Sequence, residues 1–325
     1  MTLPAALAQR LAILLVSVFL LSACNPYDRP LTVAAAPWPN FEFLFLAKEL
    51  NYLPEEQYSL FELSAASSVI QAFQAGKLDV AFLSLDEVLT LVALGIDLKI
   101  VSVIDHSMGG DALLVKPEIT SLQGLKWHSV GYENKSAGAL LLNEAFVISG
   151  LNNQTIQLLE VKQSEVKDVY MQEHIDGLIV REPQKQQLLA LGARELLNSS
   201  QLKQRITHLM IVRSDVAKHE AIKVTQLLTQ FYNARDYYLQ NEKQALTTMA
   251  VRLQVFPSLL AESFKGTRFI EPKDALMHLS GTPSNIEIQA NELSLFMTQK
   301  KMLGKMPNDF TSNISTRILE RVIYE

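Results

Sequence analysis

From residue 31 onward, apolar and polar positions alternate in short blocks. Residues 31–36, 79–84 and 98–104 are apolar, β-prone runs and 58–63 alternates, whereas 41–50, 67–75 and 86–94 carry apolar side chains at helical spacing. Strands separated by amphipathic helices of about ten residues predict βαβ units, hence an α/β fold with a largely parallel sheet covered on both faces. A strand at 112–115 ends at Lys116-Pro117, after which the pattern restarts: strands at 127–131, 156–161 and 178–180 alternate with helices at 136–149, 164–172 and 184–191. One more strand, 208–212, precedes a helical tail broken at Pro257, Pro272, Pro283 and Pro307. The economical architecture is two lobes. Residues 31–116 and 209–325 form the first, with the C-terminal helices packed on it, and 117–208 form the second; crossings near Lys116 and Arg213 make a hinge.

The N-terminus adds an address. One arginine, Arg10, precedes the apolar run LAILLVSVFLL at 11–21, which is too short to span a bilayer comfortably, since a membrane helix needs ~20 apolar residues. The run closes on Leu21-Ser22-Ala23-Cys24, which resembles the bacterial lipobox. The resemblance implies a lipoprotein signal peptide at 1–23, lipidation of Cys24 and a tether at 24–30. Several acyl chains, each contributing ~0.8 kcal/mol per buried CH₂, would hold the protein on the periplasmic face of a membrane. Asn25, in place of an aspartate after the cysteine, points to the outer membrane in a Gram-negative cell.

Composition narrows the function. Of 325 residues 48% are apolar, and the net charge is −5 with no long basic run, so the chain has a globular core and no footprint for nucleic acid. The single cysteine excludes an internal disulfide and cysteine-rich zinc sites. No Gly-x-Ser-x-Gly elbow, phosphate-binding loop or His-Glu-x-x-His helix occurs, so a non-enzymatic protein is expected, with no cofactor and no metal.

In open α/β sheets ligands bind beyond the carboxyl ends of strands. Those segments carry Trp38 and Glu42; Ser64, Ser67 and Ser68; Asp86 and Glu87; Asp105, His106 and Asp111; Glu133, Lys135 and Ser136; and Arg181 and Glu182. Trp38 is placed to stack on a planar or cationic ligand, or to stiffen the loop between two prolines. Ser67, Asp86 and Ser136 stand at helix starts, where they either cap the helix or share its free N–H groups with an anion. Seven carboxylates against three bases favour a cationic or heterocyclic ligand over a simple oxyanion, because uncompensated carboxylates near an anion cost several kcal/mol at low dielectric. At least half of the seven are expected to be caps, salt bridges or solvated. The candidate ligand-binding set is Trp38, Glu42, Ser67, Asp86, Asp105, Asp111, Glu133, Ser136 and Glu182.

Four segments carry a family resemblance: Trp38-Pro39-Asn40 before a helix ending Ala47-Lys48-Glu49-Leu50-Asn51-Tyr52; Phe73-Gln74-Ala75-Gly76-Lys77-Leu78-Asp79-Val80-Ala81; Ser121-Leu122-Gln123-Gly124-Leu125-Lys126 before Ser129-Val130-Gly131; and Ile175-Asp176-Gly177 before Arg181-Glu182-Pro183. Their order is similar to that of the periplasmic binding proteins of nitrate, sulfonate, taurine and thiamine-precursor ABC importers. The resemblance implies a type II two-lobe periplasmic-binding-protein fold, a monomer closing on a small molecule, and an ABC permease as partner. A sensory input protein for a membrane receptor is the alternative. An enzyme like the thiamine-pyrimidine synthase shares the fold but carries a cysteine-rich motif that this chain lacks.

Overall fold

A computed structural model describes residues 29–134, 137–152, 154–172, 174–202, 206–306 and 310–325. The signal peptide, Cys24, Asn25, Lys135 and Ser136 lie outside the described residues.

The chain enters through β1 (Leu31–Ala35), α1 (Glu42–Glu49), β2 (Tyr58–Glu62), α2 (Ala66–Gln74), β3 (Val80–Ser84), α3 (Leu85–Ala93) and β4 (Leu98–Ser107). It crosses into β5 (Asp111–Val115), β6 (Ser129–Tyr132), α4 (Ala137–Ser149), β7 (Gln157–Glu160), α5 (Val166–Met171), β8 (Gly177–Arg181), α6 (Gln184–Ala190) and β9 (Arg194–Asn198). It returns through β10 (Thr207–Arg213) to α7 (Ser214–His219), α8 (Ala221–Gln240), α9 (Glu242–Leu253), α10 (Pro257–Lys265), β11 (Thr267–Phe269), α11 (Pro272–Leu279), α12 (Asn285–Gln299) and α13 (Arg317–Tyr324).

Two sheets result, ordered β11-β4-β10-β3-β1-β2 and β7-β6-β8-β5-β9. The expectation of a largely parallel sheet needs correction. Strand β1 is parallel to β2 and β3, but β10 returns from the second lobe in the opposite sense and lies antiparallel between β3 and β4. The change of sheet also falls earlier than Lys116: β5 pairs with β8 and β9, so the chain leaves the first sheet between Ser107 and Asp111. It is back in that sheet by Thr207, which pairs with His106, rather than near Arg213. The two crossings are laced together, because Ser199 Oγ lies 2.7 Å from Ser107 Oγ and accepts the Gly109 N–H at 2.8 Å. Strands β9 and β11 were not expected. One is half polar (RELLN) and the other is three residues long, too short for a period to show.

Alternation explains the second lobe's core. Leu113 and Val115 of β5 join Val130 and Ile179 on one face, while Ala112 and Leu114 join Leu178 and Val180 on the other. In the first lobe β3 (VAFLS) is buried throughout, and Phe43, Phe82 and Phe231 of α8 meet at centroid distances of 5.4 to 6.0 Å. The C-terminal helices complete this lobe, with α8 against α1 and α13, and α12 against α3. Helix α10 instead reaches across to α6 of the second lobe. At the N-terminal end of β1, Arg29 grips Asp79 through two bonds of 2.6 and 2.8 Å. The chain therefore enters the first lobe at the strand end remote from the junction. Among the described residues no helix is long and apolar enough to cross a membrane.

Candidate functional site

Both lobes point strand ends at the junction between them, and the polar groups there fall into two sets. The first is built around Asp105 at the end of β4. Trp38 Nε1–H and the Asn40 side-chain amide each donate to Asp105 Oδ2 at 2.8 Å, and His208 Nδ1–H donates to Oδ1 at 2.6 Å. Arg181, from β8 of the other lobe, lies with Nη2 2.9 Å from His208 Nε2. A guanidinium only donates, so Nε2 accepts and the ring proton sits on Nδ1, facing Asp105. Trp38 is wedged between these groups, its ring 4.3 Å from the His208 ring centroid and 4.8 Å from the Arg181 guanidinium carbon. A Cβ on Gly110 would come within 2.6 Å of the Trp38 ring and 2.8 Å of the Gly266 carbonyl, so this crossing needs a glycine.

The second set lies on the other side of His208. In the sheet His208 faces Ser84 of β3 as well as Asp105 of β4. Ser84 is the N-cap of α3, and its backbone N–H donates to Glu87 Oε2 at 2.8 Å, which pins Glu87 in the first turn of the helix. Asp86, Glu87, Asp111 and Glu133 are all buried here. Glu133 of the second lobe accepts the Ser67 N–H at 3.0 Å, closing the start of α2 from across the junction. Asp86 Oδ1, Glu87 Oε1, Asp111 Oδ2 and Arg181 Nε are buried without a hydrogen-bond partner. Burial pushes Glu87 up to about 8, with Asp86 and Glu133 repelling its charge and Arg181 only partly offsetting them. Asp86 is raised for the same first reason, with Asp111 adding to it and the Ser84 hydroxyl and His208 opposing.

The remaining candidates are held by other partners. Glu42 is fully buried against Arg252 of α9, which also pairs with Glu62. Burial nevertheless pushes Glu42 up to about 7. Glu182, in a cis peptide with Pro183, accepts from Gln186 at 2.8 Å and is likewise pushed up to about 7 by burial. The structure thus brings Asp86, Asp111, Glu133 and Ser67 together, sets Trp38 and Asp105 beside them in a satisfied network, and holds Glu42 and Glu182 elsewhere, each paired through one oxygen while Glu42 Oε1 and Glu182 Oε2 are buried without a hydrogen-bond partner. The capping expectations change as well. Ala65 is the N-cap of α2 and Ser84 that of α3, so Ser67 and Asp86 lie one or two residues inside their helices. Sequence reasoning missed His208, whose place in an apolar strand gave no signal, and left Glu87 and Arg181 out of the candidate set although it placed both in strand-end segments; Glu87 lies in the first turn of α3 and Arg181 ends β8. Among the described residues no group of three or more His, Cys, Asp or Glu is arranged to hold a metal ion.

Two α/β lobes joined by two crossings, with buried polar groups at their junction, define the periplasmic-binding-protein class of fold. Solved structures share it. The chain is similar to the alkanesulfonate-binding protein SsuA from Xanthomonas axonopodis pv. citri bound to MOPS, at 17% identity over 87% of this chain and 96% of that one, with a TM-score of 0.74. It is similar to a Candida albicans gene product with the generic periplasmic binding protein fold, at 13% identity over 88% and 96%, TM-score 0.68. It is similar also to the desulfurization enzyme DszB, at 14% identity over 90% and 99%, TM-score 0.64. No curated protein matches it in sequence. The chain belongs to the NMT1/THI5-like family, whose model matches residues 38–245.

Proposed function

We propose that the chain is a solute-binding protein that closes its lobes on one small molecule and delivers it to an ABC-type permease. The observation that carries this reading is the set of open hydrogen-bonding atoms at the lobe junction: three carboxylate oxygens and one guanidinium N–H, all buried. Buried polar atoms are otherwise almost always paired, and leaving one unpaired costs about 1–3 kcal/mol. A cation entering the set draws these carboxyls into their charged, acceptor form, so the ligand that completes it brings more donors than acceptors, which suits an ammonium, an amidine or an amino-substituted heterocycle better than a sulfonate or nitrate. Asp86 from the first lobe and Glu133 from the second are its carboxylate clamps, while Asp105 and Glu182 keep their protein partners. The DszB likeness raises an enzyme as a rival, but residues 29–325 contain no cysteine, and the Thr207 hydroxyl, 2.9 Å from His106 Nδ1, is buried.

The reading extends to the rest of the chain. It acts as a monomer, lipid-anchored through Cys24 on the periplasmic face, and the described chain enters the lobe at Arg29, on the side away from the ligand. The test is native mass spectrometry of the freshly purified protein. A retained small molecule with a cationic or amino-heterocyclic group, lost in Asp86→Asn, is the expected result. A retained oxyanion indifferent to that substitution overturns the ligand assignment, and turnover of a bound compound overturns the non-enzymatic reading.

A further inference from the structure

Asp86, whose Oδ1 is buried without a hydrogen-bond partner, stands between two environments. On one side is the acidic junction; on the other, the residue lines a partly open cavity of about 330 Å³ between the lobes. Its walls are Tyr132, Leu142, Phe146 and Leu158 from the second lobe, with Met297 and Met302 from the end of α12 and the turn after it. Asn143 Nδ2 donates to the Ala139 carbonyl at 2.9 Å and lies 3.6 Å from the Met302 sulfur, which ties the α12 end to the second lobe. The segment supplying the methionines lies beyond residues 38–245 matched by the family, so this wall is a contribution of the C-terminal helices. One side of the space is aromatic and thioether, and its one buried charged group, Asp86, is 2% exposed with Oδ1 unpartnered.

We infer that this cavity takes the apolar body of a monoamine whose ammonium or protonated heterocyclic nitrogen pairs with Asp86. The inference rests on the solute-binding reading and adds a ligand class to it. The walls are mixed, with Thr90, Asn134 and Asn143 among them; a carboxylate at the edge of such a chamber is completed by a cation, and the aromatic and thioether side rewards burial of a ring or short alkyl chain at roughly 25 cal/mol per Å². Met297 and Met302 supply the adaptable surface suited to an aromatic ring. Lys300 and Lys301, exposed and also on the lining, disfavour a second positive charge, which excludes diamines and polyamines. Because its walls come from both lobes, the chamber exists in full only when the lobes are together, so filling it favours closure.

Calorimetric titration of the purified protein with 2-phenylethylamine, 2-phenylethanol, putrescine and taurine tests this, alongside native mass spectrometry for a retained molecule. The amine is expected to bind at least 10-fold more tightly than the other three. Asp86→Asn should weaken it about 30-fold or more by removing the ion pair, and Phe146→Trp should abolish binding by filling the chamber. Asp86→Asn replaces a carboxyl whose charged form burial already disfavours, so the apo variant should melt no lower than the parent. If Phe146→Trp does not fold, Leu142→Phe serves as the filling variant. Equal affinity for amine and alcohol, or a retained or titrated ligand unaffected by filling the chamber, overturns the inference and leaves solute capture standing. No binding by any compound overturns the inference, and if no small molecule is retained either, the solute-binding reading falls with it.

Discussion

Asp105 and Asp86 are both buried carboxylates, set on opposite sides of His208, one near the end of β4 and the other in the first turn of α3 just after β3, and they differ in how their environment is finished. Asp105 receives three donors, from Trp38, Asn40 and His208, and through His208 it reaches Arg181 of the other lobe. Asp86 keeps an open oxygen, as do Glu87 and Asp111 beside it. A closed network of this kind fixes geometry, while an open one costs free energy until something completes it. On the proposed function the two sets have different work: the Asp105 network sets the lobe junction, and the Asp86 group is proposed to meet the ligand.

The largest expected effect is on the finished side. Asp105→Ala leaves the Trp38 and Asn40 donors and the His208–Arg181 pair buried without their anion, and should cost about 3–5 kcal/mol in denaturant unfolding. Survival of full stability would show that the network is ornamental. Carboxyls raised by burial make stability depend on pH, on the open side and beyond it. Glu87 at about 8, and Glu42 and Glu182 at about 7, all stand above their ordinary value of 4.5, so the folded protein holds protons that the unfolded chain releases. Stability should be greatest near pH 4.5, fall on the order of a few kcal/mol as pH rises to about 8, and level off above that. Asp79, lowered by Arg29 and by hydrogen bonds from Thr32, contributes in the opposite sense and limits stability below its ordinary value of 3.8. Glu87→Gln should flatten the upper part of the profile; an unchanged slope would mean that Glu87 is already paired.

Two smaller effects sharpen the division. Gly110→Ala pushes a methyl into Trp38 and the Gly266 carbonyl and should cost about 1–3 kcal/mol, as overpacking does. Trp38→Phe keeps a ring against His208 and Arg181 but removes a donor from Asp105, and should cost about 1–2 kcal/mol with little change in ligand affinity. A loss of affinity larger than the loss of stability would return Trp38 to the ligand surface.

Much of the fold was legible because the strands and helices of both lobes announce themselves by local period. Strand β9, half polar, and β11, three residues long, carry too little period to show, and the place of β5 depends on pairing with β8, 62 to 70 residues further along, rather than on its own sequence. The excess of acids at strand ends was legible too. Which of them remain open was not, because the decisive partners are distant in sequence: Trp38 is 67 residues from Asp105, His208 is 103 from it, and Arg252 is 210 from Glu42. Local reading offers Asp86 as a helix cap, and only the position of Ser84 two residues earlier frees it for another task.

The most direct test of the division between the two carboxylate groups is a thermal-shift screen of ammonium, amidine, amino-heterocyclic, zwitterionic and oxyanion compounds on the parent protein and Asp86→Asn. Stabilisation of the parent by donor-rich cations, lost in Asp86→Asn, is the predicted result. Stabilisation by nitrate or an alkanesulfonate, equal in both proteins, would contradict it.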